Sequence, residues 1–195
     1  MSGLIRIILS ILILLVAGCS SAPTQHYLLT PINQHQSFKN QRALFIGVGP
    51  IELPGYLDRI AIATRVLPHE LNVSDFHRWA EPLSDNINSV ILNNLKSILK
   101  TPQVIQYPWE NEQRIDYRVI IDFERFDCDW PTQCVLEATW KITNKSNSKL
   151  YHAEHDRFIE PVTEANYHGM VTSLNQLVNQ LSREIATRIS RLHAK

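Results

Sequence analysis

Three cysteines give this chain its clearest capacity for covalent chemistry, and the first of them follows an apolar segment. Cys19 ends the stretch ILILLVAGC, and the uncharged run from Ile7 to Ala17 contains eleven residues. A transmembrane helix needs about 20 predominantly apolar residues, so this run is too short to cross a bilayer. A charged Arg6, a short apolar run and small residues before a cleavage site are typical of a secretory signal peptide. The segment therefore predicts export.

The four residues Val16–Cys19 resemble a bacterial lipobox, in which cleavage precedes the cysteine. This resemblance implies that residues 1–18 are removed as a lipoprotein signal peptide and that Cys19 receives a diacylglycerol and an acyl chain such as palmitate. Two or more acyl chains anchor a protein lastingly, whereas one chain does not. Ser20 and Ser21 replace the aspartate that retains enterobacterial lipoproteins at the inner membrane. We expect an outer-membrane, lipid-anchored protein on the periplasmic face, with a plain signal peptide as the alternative.

The other two cysteines, Cys128 and Cys134, flank the five-residue loop DWPTQ. Opposed positions of an antiparallel hairpin lie close enough together for a disulfide bond. Because the periplasm is oxidising, a bonded pair is favoured there over a redox or zinc site. We expect a local disulfide, and two free buried thiols are the alternative.

Other patterns that could support chemistry are weak. The sequence GVGP at 47–50 lacks the third glycine and the following helix of a dinucleotide-binding turn. In HAEH at 152–155, strand geometry would turn His155 away from His152 and Glu154, and the spacing is not that of a helical zinc site. No serine lies in a G-x-S-x-G motif. The sequence predicts a protein that is not an enzyme and that binds no metal and no cofactor.

The charge balance and length limit the remaining classes. The chain carries 19 basic and 19 acidic side chains, and its near-neutral charge gives no general attraction for nucleic acid. Removal of the signal leaves 177 residues, enough for one domain with a sizeable core. Residues 19–42 are rich in Ser, Pro, Gln and Asn, which predicts a lipidated tether with one short strand at Tyr27–Thr30. Residues 43–195 are expected to form a single periplasmic domain.

Hydrophobic periodicity divides that domain into strands and two helices. One helix is expected to begin near Pro82 and to end before Pro102, and a second is expected over Glu164–Leu192. Residues 116–127 alternate between apolar and polar side chains, which predicts a strand with one buried face. The order of strands, helix, strands and helix predicts an α+β fold. Its mostly antiparallel sheet would carry two long amphipathic helices packed on one face.

The segment 49–59 is the strongest candidate for a contact with another protein. Its prolines and glycines set rigid turns, and tyrosine and arginine are favoured anchors in interfaces. The candidate partner-binding residues are Pro54, Tyr56, Leu57, Asp58 and Arg59 in this segment, together with Trp79. The alternative interpretation is a tight loop between strands whose side chains serve the fold alone.

Several motifs in order resemble a known family. They are YLLTP (27–31), GVGPIELPGYLDR (47–59), ATR (63–65), RWAEPLSDNI (78–87) and DYRVIIDFERFD (116–127). Behind a lipobox, this combination resembles the PqiC/YmbA-type lipoproteins, which are auxiliary components of ABC-type transport systems.

The resemblance implies a binding and docking role rather than catalysis. Family members work with an MCE-domain protein that is anchored in the inner membrane, and they support lipid transport and envelope integrity. The lipoprotein would hold the distal end of that partner at the outer membrane, and a homo-oligomeric ring around the partner is a further implication. Two alternatives remain. One is a structural envelope lipoprotein that binds peptidoglycan or an outer-membrane assembly machine, and the other is a periplasmic hydrolase.

Overall fold

A computed structural model describes residues 23–32, 44–109, 114–144 and 149–194. The expected signal peptide and the expected lipidation site Cys19 lie outside the described residues. Within the described ranges, no helix is both long enough and apolar enough to cross a membrane.

The described chain forms eight strands and two long helices, which confirms the α+β fold. A short 3-10 turn at Gly55–Leu57 separates the second and third strands. The elements in chain order are β1 (Gln25–Tyr27), β2 (Ile46–Glu52), β3 (Ala61–Leu67), β4 (Glu70–Trp79), α1 (Leu83–Leu99), β5 (Val104–Gln106), β6 (Tyr117–Asp129), β7 (Gln133–Thr143), β8 (Leu150–Pro161) and α2 (Tyr167–His193).

All eight strands belong to one mixed sheet organised around β6. One edge of β6 pairs with β7 along its length, and β7 pairs with β8, both in antiparallel fashion. On the other edge, the first half of β6 pairs in parallel with β2, which itself pairs with β5. The end of β6 meets β3, which forms an antiparallel hairpin with β4, and β1 joins β4 in parallel. Most paired residues lie in the antiparallel ladders, as expected.

The apolar face of the sheet supports both helices. Val119, Ile121 and Phe123 of β6 are buried, and each is opposed by a buried residue of β7. The register shifts after Phe123, because β6 contains one extra residue relative to β7. This bulge turns Phe126 and Cys128 into the same buried cluster and leaves the intervening charged residues on the opposite face.

The two helices begin and end near the predicted positions for identifiable reasons. Pro82 occupies the cap before α1, and Lys100 ends that helix in a left-handed conformation with φ of 54°. Asn166 caps α2 by accepting a hydrogen bond from the Gly169 N–H at 2.8 Å. The buried stripe of α2 packs against α1 and the sheet. It contains Met170, Leu174, Leu177, Leu181, Ile185 and Ile189.

Residues 28–32, which we call the strap, belong to the folded domain although the sequence placed them in the tether. The side chain of Asn86 accepts from the Leu29 N–H at 2.7 Å and donates to the Leu29 carbonyl at 3.2 Å. Asn175 of α2 accepts from the Thr30 N–H at 2.7 Å. These bonds attach residues 28–32 directly to both helices.

A second amide fixes the far end of the strap. Asn94 of α1 is fully buried and accepts from the Ile32 N–H at 2.7 Å. Its amide nitrogen donates to Asn179 at 2.8 Å and to Ser182 at 3.1 Å, both on α2. One buried side chain thus links the strap and both helices, so its polar atoms remain paired inside the domain.

Two strand predictions need correction. The strand predicted at Tyr27–Thr30 lies at Gln25–Tyr27, because the following residues leave the sheet for the strap. The strand predicted at about Glu70–Val73 extends to Trp79. A register shift against β3 interrupts its alternation. Because of that irregularity, hydrophobic periodicity does not predict the second half of β4.

Candidate functional site

The candidate contact segment forms a fixed loop between β2 and β3, which we call the 53–60 loop. The Leu57 N–H donates to the Pro54 carbonyl at 2.9 Å, and the Asp58 N–H donates to the Gly55 carbonyl at 3.2 Å. Leu57 is buried in the core, where it fixes the middle of the loop. The following residues Asp58, Arg59 and Ile60 are exposed.

A buried carboxylate holds the loop from the other face of the sheet. The Tyr56 hydroxyl donates to Oδ2 of Asp127 at 2.8 Å. Arg65 Nη2 approaches the same oxygen at 2.7 Å, and Arg125 Nε reaches Oδ1 at 2.8 Å. Arg125 also pairs with Asp129. These five residues form what we call the Asp127 cluster, in which the Asp127 carboxylate itself is inaccessible to solvent.

The cluster stabilises the ionised form of Asp127. Burial disfavours the charged carboxylate, but hydrogen bonds from Arg65, Arg125 and Tyr56 outweigh this effect and hold its pKa below the ordinary value. For Tyr56, burial and the neighbouring negative charge of Asp127 raise the pKa to about 12. The tyrosine therefore remains a neutral hydrogen-bond donor at physiological pH, which keeps the loop attached to the sheet.

A groove of about 390 Å³ opens between the 53–60 loop and the start of α1. Asp58 and Arg59 supply one charge of each sign at its rim, and Ile60 supplies exposed apolar surface. The lining is completed by Leu53, Gly55 and Leu57 from the loop side and by Pro82, Leu83 and Ser84 from the helix side. The groove can therefore offer a partner both ionic and apolar contacts on a fixed backbone.

The structure divides the six candidate partner-binding residues into two groups. Asp58 and Arg59 are exposed and Pro54 is half-buried, so these three are accessible to a partner. Leu57 and Trp79 are buried in the core, and the Trp79 N–H donates to the Ile60 carbonyl at 2.7 Å. The Tyr56 hydroxyl is directed to Asp127, so Tyr56 and Trp79 support the loop, and Leu57 contributes to the groove only at its floor.

A second, open cavity of about 620 Å³ lies on the side of the Asp127 cluster away from the helices. Arg65 and Arg125 line it together with acidic side chains. Within the cavity, Arg65 Nη1 donates to the Pro68 carbonyl at 2.8 Å, and the rest of its guanidinium faces Asp127. Both guanidinium groups are thus occupied by partners from this chain, which favours a role in holding the fold.

Sequence reasoning missed the Asp127 cluster. A carboxylate beside a hairpin turn is ordinarily solvated, but Asp127 is 1% exposed. The bulge after Phe123 places it opposite Arg65, whose own strand is far away in the sequence. One available signal was the concentration of Tyr56, Arg65 and Asp127 in three of the family-like motifs.

The two remaining cysteines and the histidines of the HAEH motif contact residues of the sheet and core. Cys128 and Cys134 form a disulfide bond that is buried in the core. His152 Nε2 lies 2.8 Å from Glu154 Oε2, whereas His155 faces Glu124 on the other side of the strand. Among the described residues, no group of three or more His, Cys, Asp or Glu side chains is arranged to hold a metal ion.

The GVGP segment forms an irregularity in β2. Gly49 has a φ of 115°, and a Cβ atom there would lie 2.7 Å from the Tyr107 Cβ. Glycine therefore permits both the backbone conformation and the close approach of the neighbouring segment. The register against β6 shifts between Val48 and Ile51, so the motif ends regular pairing before the 53–60 loop begins.

Comparisons with known proteins show the fold and the family. A crystal structure of an uncharacterised protein matches with a TM-score of 0.70 at 20% identity, over 86% of this chain and 99% of its own. A Xanthomonas campestris protein of family DUF330 matches with a TM-score of 0.70 at 17% identity, over 88% and 100% respectively. Curated protein sequences give no match. Residues 27–186 match the ABC-type transport auxiliary lipoprotein component family, so the chain belongs to that family.

Proposed function

We propose that this auxiliary lipoprotein is anchored at the outer membrane through Cys19 and docks an MCE-domain protein of the inner membrane. In this role it supports intermembrane lipid transport and envelope integrity without catalysing a reaction. The observation that carries the proposal is the groove beside the 53–60 loop. Its backbone is held from within, while Asp58, Arg59 and Ile60 point outward. Family membership supplies the transporter context.

Pre-organisation is the physical reason to favour this surface. A loop that must be ordered on binding loses affinity to conformational entropy, whereas a loop that is already fixed loses little. Burial of Leu57 and the hydrogen bond between Tyr56 and Asp127 supply that order before any partner arrives. Arginine at such a site can form bidentate hydrogen bonds, and the adjacent apolar side chain can fill a pocket of the partner.

Several copies would surround one partner as a homo-oligomeric ring in this proposal. A ring repeats a weak contact around an axis, so many grooves can hold one extended partner through avidity. Native mass spectrometry of the purified lipoprotein in detergent tests this point, because a closed ring gives one defined mass above that of the monomer. A strictly monomeric spectrum would contradict the ring.

In-cell photo-crosslinking tests the docking site. A photoreactive phenylalanine analogue is placed at Ile60 and, as a matched control, at Leu150 on β8, since these aliphatic side chains are 54% and 59% exposed. Mass spectrometry then identifies the crosslinked proteins. We expect an MCE-domain protein from position 60 and none from position 150. Recovery of outer-membrane assembly factors or peptidoglycan without an MCE protein would favour the structural envelope role instead.

A further inference from the structure

The direction in which the chain enters the domain limits how the protein can sit on a membrane. β1 runs parallel to β4, with Gln25 opposite His77. The preceding chain therefore approaches from the side of the β4 residues that come before His77. Gln25 lies only six positions after Cys19. Six extended residues span at most about 20 Å, so a lipid on Cys19 would hold β1 within that distance of the bilayer.

The β3–β4 hairpin extends on this same side. β4 begins at Glu70, seven positions before His77. Because β4 holds extra residues against β3 here, the length follows the opposed β3 residues up to Leu67, which cover about 17 Å at roughly 3.3 Å per residue. The hairpin thus projects beyond the start of β1 by nearly the reach of the anchor segment. A short anchor therefore brings the hairpin and the lipid head groups to the same level.

Several apolar side chains of this hairpin are exposed. Val66 and Leu67 are 54% and 53% exposed beside its turn, and Phe76 is 45% exposed. The Ser74 hydroxyl accepts from the N–H groups of Phe76 at 3.3 Å and His77 at 3.0 Å. These bonds hold the irregular segment of β4 in which the Phe76 side chain remains exposed.

Aromatic rings continue the surface next to the hairpin. The rings of His77 and Tyr167 stack with centroids 3.7 Å apart, and Trp130 stacks on Tyr167 at 5.5 Å. Tyr27 joins them through its hydroxyl, which lies 2.8 Å from His77 Nδ1. This aromatic cluster surrounds His77 and therefore lies at the level where β1 begins, away from the β3–β4 turn.

We propose that the β3–β4 hairpin is a membrane-contact surface whose occupant is the lipid bilayer that holds the anchor. Val66 and Leu67, beside the turn, enter the head-group region, whereas Phe76 and the adjacent aromatic rings lie farther from the bilayer, at the level where β1 begins. The hairpin and its turn carry both basic and acidic side chains, so apolar burial rather than attraction to anionic lipid provides the contact. The inference rests on the lipidation of Cys19 in the proposed function. It adds an orientation, with the β3–β4 turn directed to the membrane.

Site-directed spin labelling of the full lipoprotein tests this orientation. Single cysteines are introduced as Val66→Cys and Leu67→Cys, with Leu150→Cys on the distant edge strand as the matched exposed control. A lipidated Cys19 and the bonded Cys128–Cys134 pair leave no native thiol to compete for the label. The protein is reconstituted in vesicles of phosphatidylethanolamine and phosphatidylglycerol. Collision rates are then measured with oxygen and with a water-soluble nickel chelate.

We expect the labels at positions 66 and 67 to collide several-fold less with the nickel chelate, and more with oxygen, than the label at position 150. Equal nickel accessibility at all three positions on vesicle-bound protein would overturn the membrane contact and leave the docking proposal standing. Failure of the chain to stay on vesicles would overturn the anchor and the hairpin contact together. Crosslinking at Ile60 reports on docking independently. Positions 66 and 67 are both exposed, so loss of folding in one variant leaves the other as a test.

Discussion

The strap and the 53–60 loop are both irregular segments held by buried polar side chains, yet they are held by different chemistry. Neutral amides of Asn86, Asn94 and Asn175 bind the backbone of the strap. A carboxylate between two guanidinium groups holds the loop through Tyr56. Amides fix a segment at any pH, whereas an ionic cluster responds to titration. The attachment of the strap to the helices is therefore independent of pH, whereas the attachment of the 53–60 loop to the sheet depends on pH.

The largest loss of stability is expected from Asp127→Ala, which removes the central carboxylate of the Asp127 cluster. The substitution leaves Arg65 and Arg125 without their shared counter-ion, and removal of one partner from a buried ion pair costs about 3–5 kcal/mol. Urea denaturation measures the change in the free energy of unfolding. Asp122→Ala provides the control, because Asp122 is an exposed carboxylate on the same strand. Equal losses for the two variants would show that the cluster contributes nothing specific.

The acid limb of the stability curve tests the same cluster through titration. The folded protein holds the pKa of Asp127 below its ordinary value, so this group stabilises the fold at pH values above that ordinary pKa. The contribution is lost as the pH falls through the folded pKa. We expect wild-type protein to lose more stability than Asp127→Asn between neutral and acidic pH, as measured by urea titrations at several pH values. Parallel curves for both proteins would contradict the ionic assignment.

Asn94→Ala tests the amide side and should rank next. The substitution removes the bond to the Ile32 N–H and the two bonds to α2, and it leaves buried polar groups unpaired. We expect a loss of about 2–3 kcal/mol and faster hydrogen exchange at the strap amides. Asn93→Ala on the exposed side of the same helix serves as the control. Unchanged exchange at Ile32 would mean that apolar packing, not Asn94, holds the strap.

Tyr56→Phe should have a smaller effect, because Asp127 retains both arginines. Loss of one hydrogen bond to a charged acceptor is expected to reduce stability by about 1–2 kcal/mol. The raised pKa of about 12 means that Tyr56 stabilises the fold below its ordinary pKa of 10.0, and that this contribution disappears as the pH rises through 12. Alkaline unfolding of the wild type should therefore contain a component that the phenylalanine variant lacks. Identical alkaline curves would contradict it.

The sequence predicted the helices and the central hairpin well because their apolar residues recur at regular spacing. Met170 to Ile189 form the expected stripe, and Val119 to Phe123 alternate as expected. Periodicity contains no information about contacts between distant irregular segments. The strap bonds Thr30 to Asn175, which lies 145 positions away, and it lies within a longer segment that is rich in Ser, Pro, Gln and Asn. The Asp127 cluster depends on a bulge of one residue in β6, and no local sequence pattern predicts that bulge.

Arg59→Glu should leave stability nearly unchanged and yet weaken docking. The variant therefore distinguishes the buried cluster that holds the loop from the exposed charges that contact a partner. Arg59 is exposed at the rim of the groove, and surface substitutions usually change the free energy of unfolding by less than about 0.5 kcal/mol. Charge reversal places a second acidic side chain next to Asp58, so a partner that presents a carboxylate there would be repelled. The measurement pairs urea denaturation with recovery of the crosslinked partner at Ile60, and Arg183→Glu at an exposed position of α2 is the matched charge reversal. If Arg59→Glu destabilises the fold as strongly as Asp127→Ala, the loop surface is part of the structural cluster. If the crosslinked yield falls while the free energy of unfolding is unchanged, the buried cluster serves to hold the groove in place and the exposed charges select its partner.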